Sequence, residues 1–482
     1  METIASLDPQ SAPRGRAPLG AQPPWVDLLL PRHAVGATGS DILQWESRTT
    51  YDEDEVETEY VSGTLRAVVQ HTASADAWRL RGSIANTGPD PVSLSRADLA
   101  VDPSAGTAWV WAAGSAGLLA VDDDSAGLWA LALRRGMLTA DGGDTVWLEA
   151  GTTLDPGRRV TVELTGGRYQ GWEEVASLLP AWLPRLAVRG GEPVDLALPD
   201  AGVVASGCTL DEGPEGTEIR GSGVQQVSVR GAFGEVTLEL AFAPTLAEAV
   251  DASSRRIAGE VGEQGELAGV RPEETAADLE RASRRLLVLQ AARSHDAADV
   301  VASALVVEAA QLVHRGESPG TFTVVALAGE VQRRDDREAL AALLLAMPLV
   351  IPEPGMALAL TRVWAALWGL GQDPEPVRDA LVRIAVQPTV MRVHGVESGL
   401  MTGDRDAPRR LLGILGGGLP GRAAPTAEPW ESGYAVALAS LVADDDPLGP
   451  AVVQAAELLA RRLTAAHPED ADVLAWLLLG ER

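Results

Sequence analysis

The apolar residues of this chain change period between residues 246 and 275, and that change constrains the fold more than any motif does. Before it, apolar residues tend to alternate with polar ones, and Gly, Thr and turn pairs punctuate the chain. After it, they recur at i, i+3, i+4 and i+7 in Ala-, Leu- and Arg-rich blocks. A period of 2 builds strands and a period near 3.6 builds helices. The expectation is a multidomain β + α chain, with an N-terminal antiparallel β-sandwich region followed by a C-terminal all-α helical-hairpin domain.

Short runs separated by turns carry the β half. Ile42–Thr50 and Glu55–Val69 read as strands. On the strand around Trp78–Asn86, Trp78, Leu80, Ile84 and Asn86 share one face, and Thr87-Gly88-Pro89-Asp90-Pro91 breaks it. Val92–Val101, Thr107–Ala112, Gly117–Val121, Gly127–Leu133, Thr145–Glu149 and Arg159–Leu164 follow. Strands at such intervals argue for a sandwich over residues 25–184. Gln170–Pro184 closes it as a short helical strap. A smaller β module over 185–245 follows, with GAFG at 231–234 as a hairpin turn. Residues 246–275 read as a linker with one helix near 246–261, and 276–482 as the α-helical domain. Residues 1–24 are rich in Pro, Ala, Gly and Ser and read as a disordered lead-in.

Helix starts are chemically marked. Ser318-Pro319, Asp373-Pro374 and Asp446-Pro447 each place a capping oxygen before a Pro at the first helical position. On Met356–Trp368, the residues Met356, Leu360, Val363, Trp364, Leu367 and Trp368 form one stripe. About ten helices with short connections are expected, hence antiparallel hairpins.

Composition removes whole classes of chemistry. There is no lysine, and all 39 basic side chains are arginine. Schiff-base and pyridoxal enzymes, P-loop nucleotide binders and kinases all need that amine. One cysteine, Cys208, excludes an intramolecular disulfide and a thiolate-rich metal site. The net charge of −29 would repel a phosphate backbone or an anionic bilayer, so neither nucleic acid nor membrane is expected as a partner. No uninterrupted run of 18 apolar residues and no secretory leader is seen, so a cytoplasmic protein is expected. No cofactor is indicated.

Two stretches carry a resemblance. Trp78–Leu94, WRLRGSIANTGPDPVSL, is similar to a strand–turn–strand of supersandwich domains. Glu428–Tyr434, EPWESGY, opens a helix as toroid helices often open. With the order sandwich, helical linker, helical hairpins, the chain resembles the six-hairpin (α/α toroid) glycosidases that carry an N-terminal β-supersandwich. The resemblance implies a helical domain that is a partial α/α toroid, and acid/base chemistry on a saccharide without a metal.

Such chemistry needs two carboxylates about 5–10 Å apart across a scissile bond, one with a raised pKa. In the helical half the acidic and aromatic residues gather in Gly/Pro-rich connections at helix starts. Glu397, Glu428 and Glu431 are the candidate proton donor or base. Trp430 and Tyr434 could stack on a sugar face, and His394 and Asp404 complete the candidate substrate site. The same acids also suit helix N-termini, where they favour the macrodipole, and Asp406 is placed to cap the helix holding Arg409-Arg410-Leu411-Leu412.

Other strings fail on context. The six histidines form no HxH or HExxH pair, and the acidic runs Tyr51–Tyr60, Asp122–Asp124 and Asp444–Asp446 lack the alternate spacing of a calcium loop, so no metal is expected. The acidic runs read instead as solvated turns or edge charges. Gly316–Gly320 fits GxSxG, but a helical pattern precedes it and Pro319 has no N–H for an oxyanion hole. Gly416–Gly421 (GGGLPG) fits GxGxxG but follows a helix, and reads as a flexible connection. Trp109 and Trp111 share a strand face, either as sandwich core or as an exposed glycan-binding pair. The leading expectation is a carbohydrate-active or carbohydrate-binding protein, with a glycosidase-like site that has degenerated. Its alternative is a non-enzymatic scaffold whose sheet edges and helical hairpins dock a protein. The partner is then a saccharide or a protein, and the sequence leaves the oligomeric state open.

Overall fold

The computed structural model describes residues 26–481, apart from 37–38, 53, 75–76, 102–106, 124–126, 142, 262–274, 386–391 and 425. The expected lead-in over 1–24 and the second half of the linker lie outside the described residues.

The N-terminal half is a sandwich. One layer is a nine-stranded antiparallel sheet, in the order Arg422–Ala424, Thr107–Ala112, Gly117–Asp123, Gly127–Arg135, Arg159–Tyr169, Ala77–Asn86, Leu65–Ala73, Glu55–Ser62 and Glu46–Tyr51. Two four-stranded sheets belong to the same half. One runs Val26–Leu28, Ala97–Val101, Asp144–Leu148, Thr139–Asp141, and the other Thr152–Leu154, Val92–Leu94, His33–Gly36, Gly39–Ile42. Inward-facing Val26, Leu28, Leu80, Ile84, Leu131 and Trp129 fill one core. Trp78 meets Trp129 edge to face at 6.2 Å. The expected single strand Glu55–Val69 is two strands, Glu55–Ser62 and Leu65–Ala73, because Gly63 turns the chain at φ 58°. Asn86, the one asparagine, is fully buried and fully satisfied. Its amide donates to the carbonyls of Asp90 (2.7 Å) and Leu154 (2.9 Å), and its carbonyl accepts the Gly88 N–H, pinning the turn that ends its strand.

The smaller β module pairs Ala187–Arg189, Gly234–Ala243, Gly223–Gly231 and Gly202–Ala205 in one sheet, the first pair being parallel. A three-stranded sheet of Val194–Leu196, Gly216–Arg220 and Thr209–Gly213 completes it. The module docks on the sandwich, where Ser115 N–H donates to Glu235 O at 2.9 Å and Trp182 stacks on Phe233 at 4.6 Å.

A short helix α1 (Trp172–Ala176) precedes the module. Among the described residues twelve more follow: α2 (Leu246–Glu260), α3 (Ala276–Ala291), α4 (His295–His314), α5 (Thr321–Arg334), α6 (Arg337–Ala346), α7 (Met356–Gly369), α8 (Glu375–Ala385), α9 (Arg392–Thr402), α10 (Ala407–Ile414), α11 (Pro429–Leu438), α12 (Gly449–Ala466) and α13 (Ala471–Gly480). The odd-numbered helices α3, α5, α7, α9, α11 and α13 each touch the next, and α13 returns to α3, closing a ring. The even-numbered helices α2, α4, α6, α8, α10 and α12 lie against the ring as its outer members. Six hairpins in a closed ring go beyond the ten or so helices read from periodicity.

Some local expectations change. Ser318 does not cap a helix. Its hydroxyl bonds to Pro319 O at 3.3 Å, and α5 begins three residues later, behind Gly320. Trp368 is 71% exposed, off the buried stripe formed by Met356, Leu360, Val363 and Leu367. Asp122 is no solvated turn. It is buried on its strand and pairs with Arg409 of α10 at 2.7 Å, tying sheet to helices. Helix α4 is long and apolar enough by composition to cross a membrane. It lies instead in the outer layer beside α3 and α6, and its Asp299 pairs with Arg333 and Arg334 of α5.

The GGGLPG segment is a packing surface rather than a flexible connection. Gly416 and Gly417 sit at φ 72° and 57°, and an added Cβ would lie 2.4 Å from Trp109 and 2.2 Å from Trp172 respectively. Only glycine fits both the backbone and the space. Pro420 O accepts the Trp109 indole N–H at 2.9 Å, and Arg462 donates to Leu419 O and Gly421 O. Burial pushes the Arg462 guanidinium down to about 10. Arg422–Ala424 then adds an edge strand to Thr107–Ala112. Trp109 and Trp111 are thus buried, on the face of the sheet that meets the helices.

Candidate functional site at the end of the helix ring

Contacts along the ring place the first turns of its helices at one level. Glu280 of α3 reaches the start of α5, where its carboxylate accepts the Phe322 N–H (2.8 Å), the Thr323 N–H (3.0 Å) and the Thr323 hydroxyl (3.0 Å). Thr321 donates its hydroxyl to Pro354 O, just before α7, at 2.8 Å. Glu397 of α9 then caps α7, accepting the N–H groups of Gly355 at 2.9 Å and Leu358 at 3.0 Å. Tyr434 of α11 donates its hydroxyl to the same carboxylate. Trp476 of α13 lies against Tyr434 (4.8 Å between centroids), Trp430 (6.2 Å) and Phe322 (4.8 Å, edge on). The first turn of α13 closes the circle through Asp472, paired with Arg284 of α3 at 3.5 Å.

An α-helix leaves its first N–H groups without intrahelical partners, and its N-terminus carries partial positive charge. Neither α5 nor α7 has a local capping side chain. Glu280 and Glu397 supply the acceptors from neighbouring helices instead. Gly355 makes this possible at α7. It stands at φ 76°, and a Cβ there would meet the Trp476 ring at 2.5 Å.

The electrostatics follow from enclosure. Glu397 is 1% exposed, and burial pushes its carboxyl above the usual glutamate range, against the hydrogen bonds from Tyr434, Leu358, Gly355 and Ala357. Burial, and then the charge of Glu397, raises the Tyr434 phenol well above its ordinary value. Burial raises Glu280, and burial together with the charge of Glu280 raises Glu353. His394 stands on the other side of Glu397, its Nε2 4.0 Å from the carboxylate, and burial lowers its pKa.

Of the residues singled out in the sequence, Glu397, Tyr434 and His394 come together, and Trp430 joins them through Trp476. Glu428 and Glu431 lie at the start of α11, one turn before Tyr434. Glu431 accepts the Glu428 N–H at 3.0 Å, capping the helix, while Glu428 is exposed. Asp404 lies apart from this group, in the α9–α10 turn. It accepts the Asp406 N–H at 3.0 Å and pairs with Arg410, and both hold its carboxyl below the usual range. Asp406 N-caps α10 by position but makes no side-chain cap bond. Glu280, Glu353, Phe322, Arg284 and Trp476 belong to the same level and carry no motif. The one available signal was Trp476, the sole aromatic in the apolar run Val473–Leu479.

Chemically, the carboxyls of Glu397 and Glu280 are already occupied as helix caps. A glycosidase acid must meet the leaving oxygen of a substrate. Tyr434 and Trp476, 0% and 2% exposed, fill the ring beside Glu397, and its oxygens are held by the Gly355 and Leu358 N–H groups and the Tyr434 hydroxyl. Among the groups that reach solvent at this end are the half-buried Trp430, exposed Glu428 and half-buried Glu431. Beside Glu397 and His394, between α7, α8 and α9, a separate cavity of about 370 Å³ opens outward. Among the described residues no cluster of three or more metal-ligating side chains occurs.

No family model matches the chain, and no curated protein matches it. Among solved structures it is similar to a polysaccharide lyase, at 12% identity over 91% of this chain and 75% of that one, with a TM-score of 0.44. It is also similar to a family 81 glycoside hydrolase from Clostridium thermocellum, at 8% identity over 94% of this chain and 81% of that one, TM-score 0.25. A third is a family 36 α-galactosidase from Geobacillus stearothermophilus, at 15% identity over 35% of this chain and 37% of that one, TM-score 0.23.

Proposed function

We propose that the protein binds a saccharide at the N-terminal end of its helix ring without cleaving it. The observation that carries the reading is Trp430. Its half-buried indole rests on the Trp476 cluster over a plugged ring, beside the carboxylates of Glu428 and Glu431. An indole face backed by a rigid aromatic suits the apolar face of a sugar, and rim carboxylates suit its hydroxyls. The non-cleaving reading is supported by Glu397 and Glu280, whose oxygens are committed to α7 and α5 and so do not serve as an acid/base pair.

A thermal-shift screen against mono- and oligosaccharides tests this. A ligand at about 100 times its Kd adds roughly 2.7 kcal/mol, worth a few degrees in a chain this size. The shift should vanish in Trp430→Ala. A selective shift that persists in Trp430→Ala would move the site elsewhere.

A second reading is favoured by Trp368, which is 71% exposed at the end of α7. There the protein would dock a partner protein, and pull-down with Trp368→Ser would lose it.

A further inference from the structure

The cavity beside Glu397 is a second site, independent of the saccharide reading. Its floor is Ala357 in the first turn of α7, and its walls are Leu381, Val382 and Ile384 of α8 and Met401 of α9. These are aliphatic or thioether groups, which hold water poorly and hold hydrocarbon well, and Ser398 and Thr402 of α9 add two hydroxyls to the lining. At about 370 Å³ the space falls in the range of small-molecule sites, about 300–1,000 Å³. Among the described residues no Phe, Tyr or Trp lines it, which argues against a sugar ring and for a flexible aliphatic body.

The polar groups are unevenly placed. Glu397 lies at the inner side, where its oxygens are held by α7 and Tyr434, and His394 beside it has its pKa lowered by burial. Arg378 stands at the solvent side, its guanidinium 57% exposed and paired with Glu375 and Asp379 on its own helix. Exposed pairs of this kind contribute about 0–1 kcal/mol, so an incoming anion can displace them. Val382, 62% exposed, forms part of the rim. The net charge of −29 works against a polyanion, so one negative charge suits the site better than several.

We propose that this cavity binds an aliphatic monocarboxylate, with its hydrocarbon chain between α8 and α9 over Ala357 and its carboxylate on Arg378. The test is calorimetric titration of the intact protein with octanoate and with octanamide, its uncharged counterpart. Octanoate should bind saturably, at one molecule per chain. Val382→Trp, which fills the rim from an exposed position, should weaken both probes at least about ten-fold by exclusion. Arg378→Gln should weaken octanoate by about three- to ten-fold and leave octanamide within about two-fold. Circular dichroism and melting of both variants without ligand verify that they fold as the parent does. The proposal is overturned by the absence of saturable octanoate binding at millimolar concentration, by binding that Val382→Trp leaves intact, or by equal weakening of both probes in Arg378→Gln.

Discussion

Replacing Glu397 by alanine should be among the most damaging single changes in the helical half, although no ligand need touch it. The carboxylate accepts the N–H groups of Gly355 and Leu358 and the hydroxyl of Tyr434, in a place that is 1% exposed. Glu397→Ala leaves these donors, and the Ala357 N–H beside them, with no acceptor. An orphaned buried polar group costs about 1–3 kcal/mol, and water entering from the neighbouring cavity recovers part of the total, so about 3–5 kcal/mol should be lost. Tyr434→Phe removes one donor and orphans none, for a loss of about 1–2 kcal/mol. The double variant should then be more stable than the sum of the two singles by about 1–2 kcal/mol, because the Tyr434 hydroxyl cannot be orphaned twice. Guanidinium unfolding of the four proteins measures each value. By melting, an unfolding entropy of about 2.1 cal/mol/K per residue gives roughly 1 kcal/mol/K for the whole chain, so Glu397→Ala should melt about 3–5 °C lower if the chain unfolds as one unit. A Glu397→Ala protein within about 0.5 kcal/mol of the parent, or strict additivity in the cycle, would refute the capping argument.

Further outcomes follow from the same structure. Burial raises the Glu397 carboxyl in the fold, so its proton is held more tightly there than in the unfolded chain, and its contribution to stability is present at low pH and lost as pH climbs past about 4. Parent stability relative to Glu397→Gln should therefore fall as pH rises above about 4, and paired denaturation curves showing a rise would contradict it. Gly417→Ala combines a positive φ with a Cβ 2.2 Å from Trp172, and should lose about 2–4 kcal/mol by the same assay. Arg409→Ala removes the helix-side partner of buried Asp122. It should cost about 1–3 kcal/mol and increase proteolysis between sheet and helices, with an unchanged cleavage pattern counting against that tie.

The two-part architecture was legible because it rests on local periodicity. The alternation in Glu235–Phe242 buries Val236, Leu238, Leu240 and Phe242, and the stripe of α7 buries four of the six residues it named. What escaped the sequence was set by distance along the chain. Ser318 looked like the cap of α5, but the cap is Glu280, 42 residues before the Phe322 N–H it accepts. Asp122 looked like a solvated turn because its partner, Arg409, lies 287 residues away. Gly416 and Gly417 looked flexible because the Trp109 and Trp172 rings that fill the space of their missing side chains come from the β half, more than 240 residues earlier. The candidate group around Glu397, Tyr434 and Trp430 could be assembled from helix-start chemistry. Nothing local told that Tyr434 and Trp476 would fill the ring, or that Glu397 would spend its oxygens on α7.

The central claim is that the ring end around Trp430 holds a saccharide while the enclosed acids do no chemistry on it. The most direct measurement is calorimetric titration of parent and Trp430→Ala with the saccharide selected by thermal shift, followed by product analysis of the same samples after long incubation. The account predicts saturable binding to the parent, its loss in Trp430→Ala, and intact saccharide in both. Cleaved product in the parent sample, or equal binding by the two proteins, would contradict it.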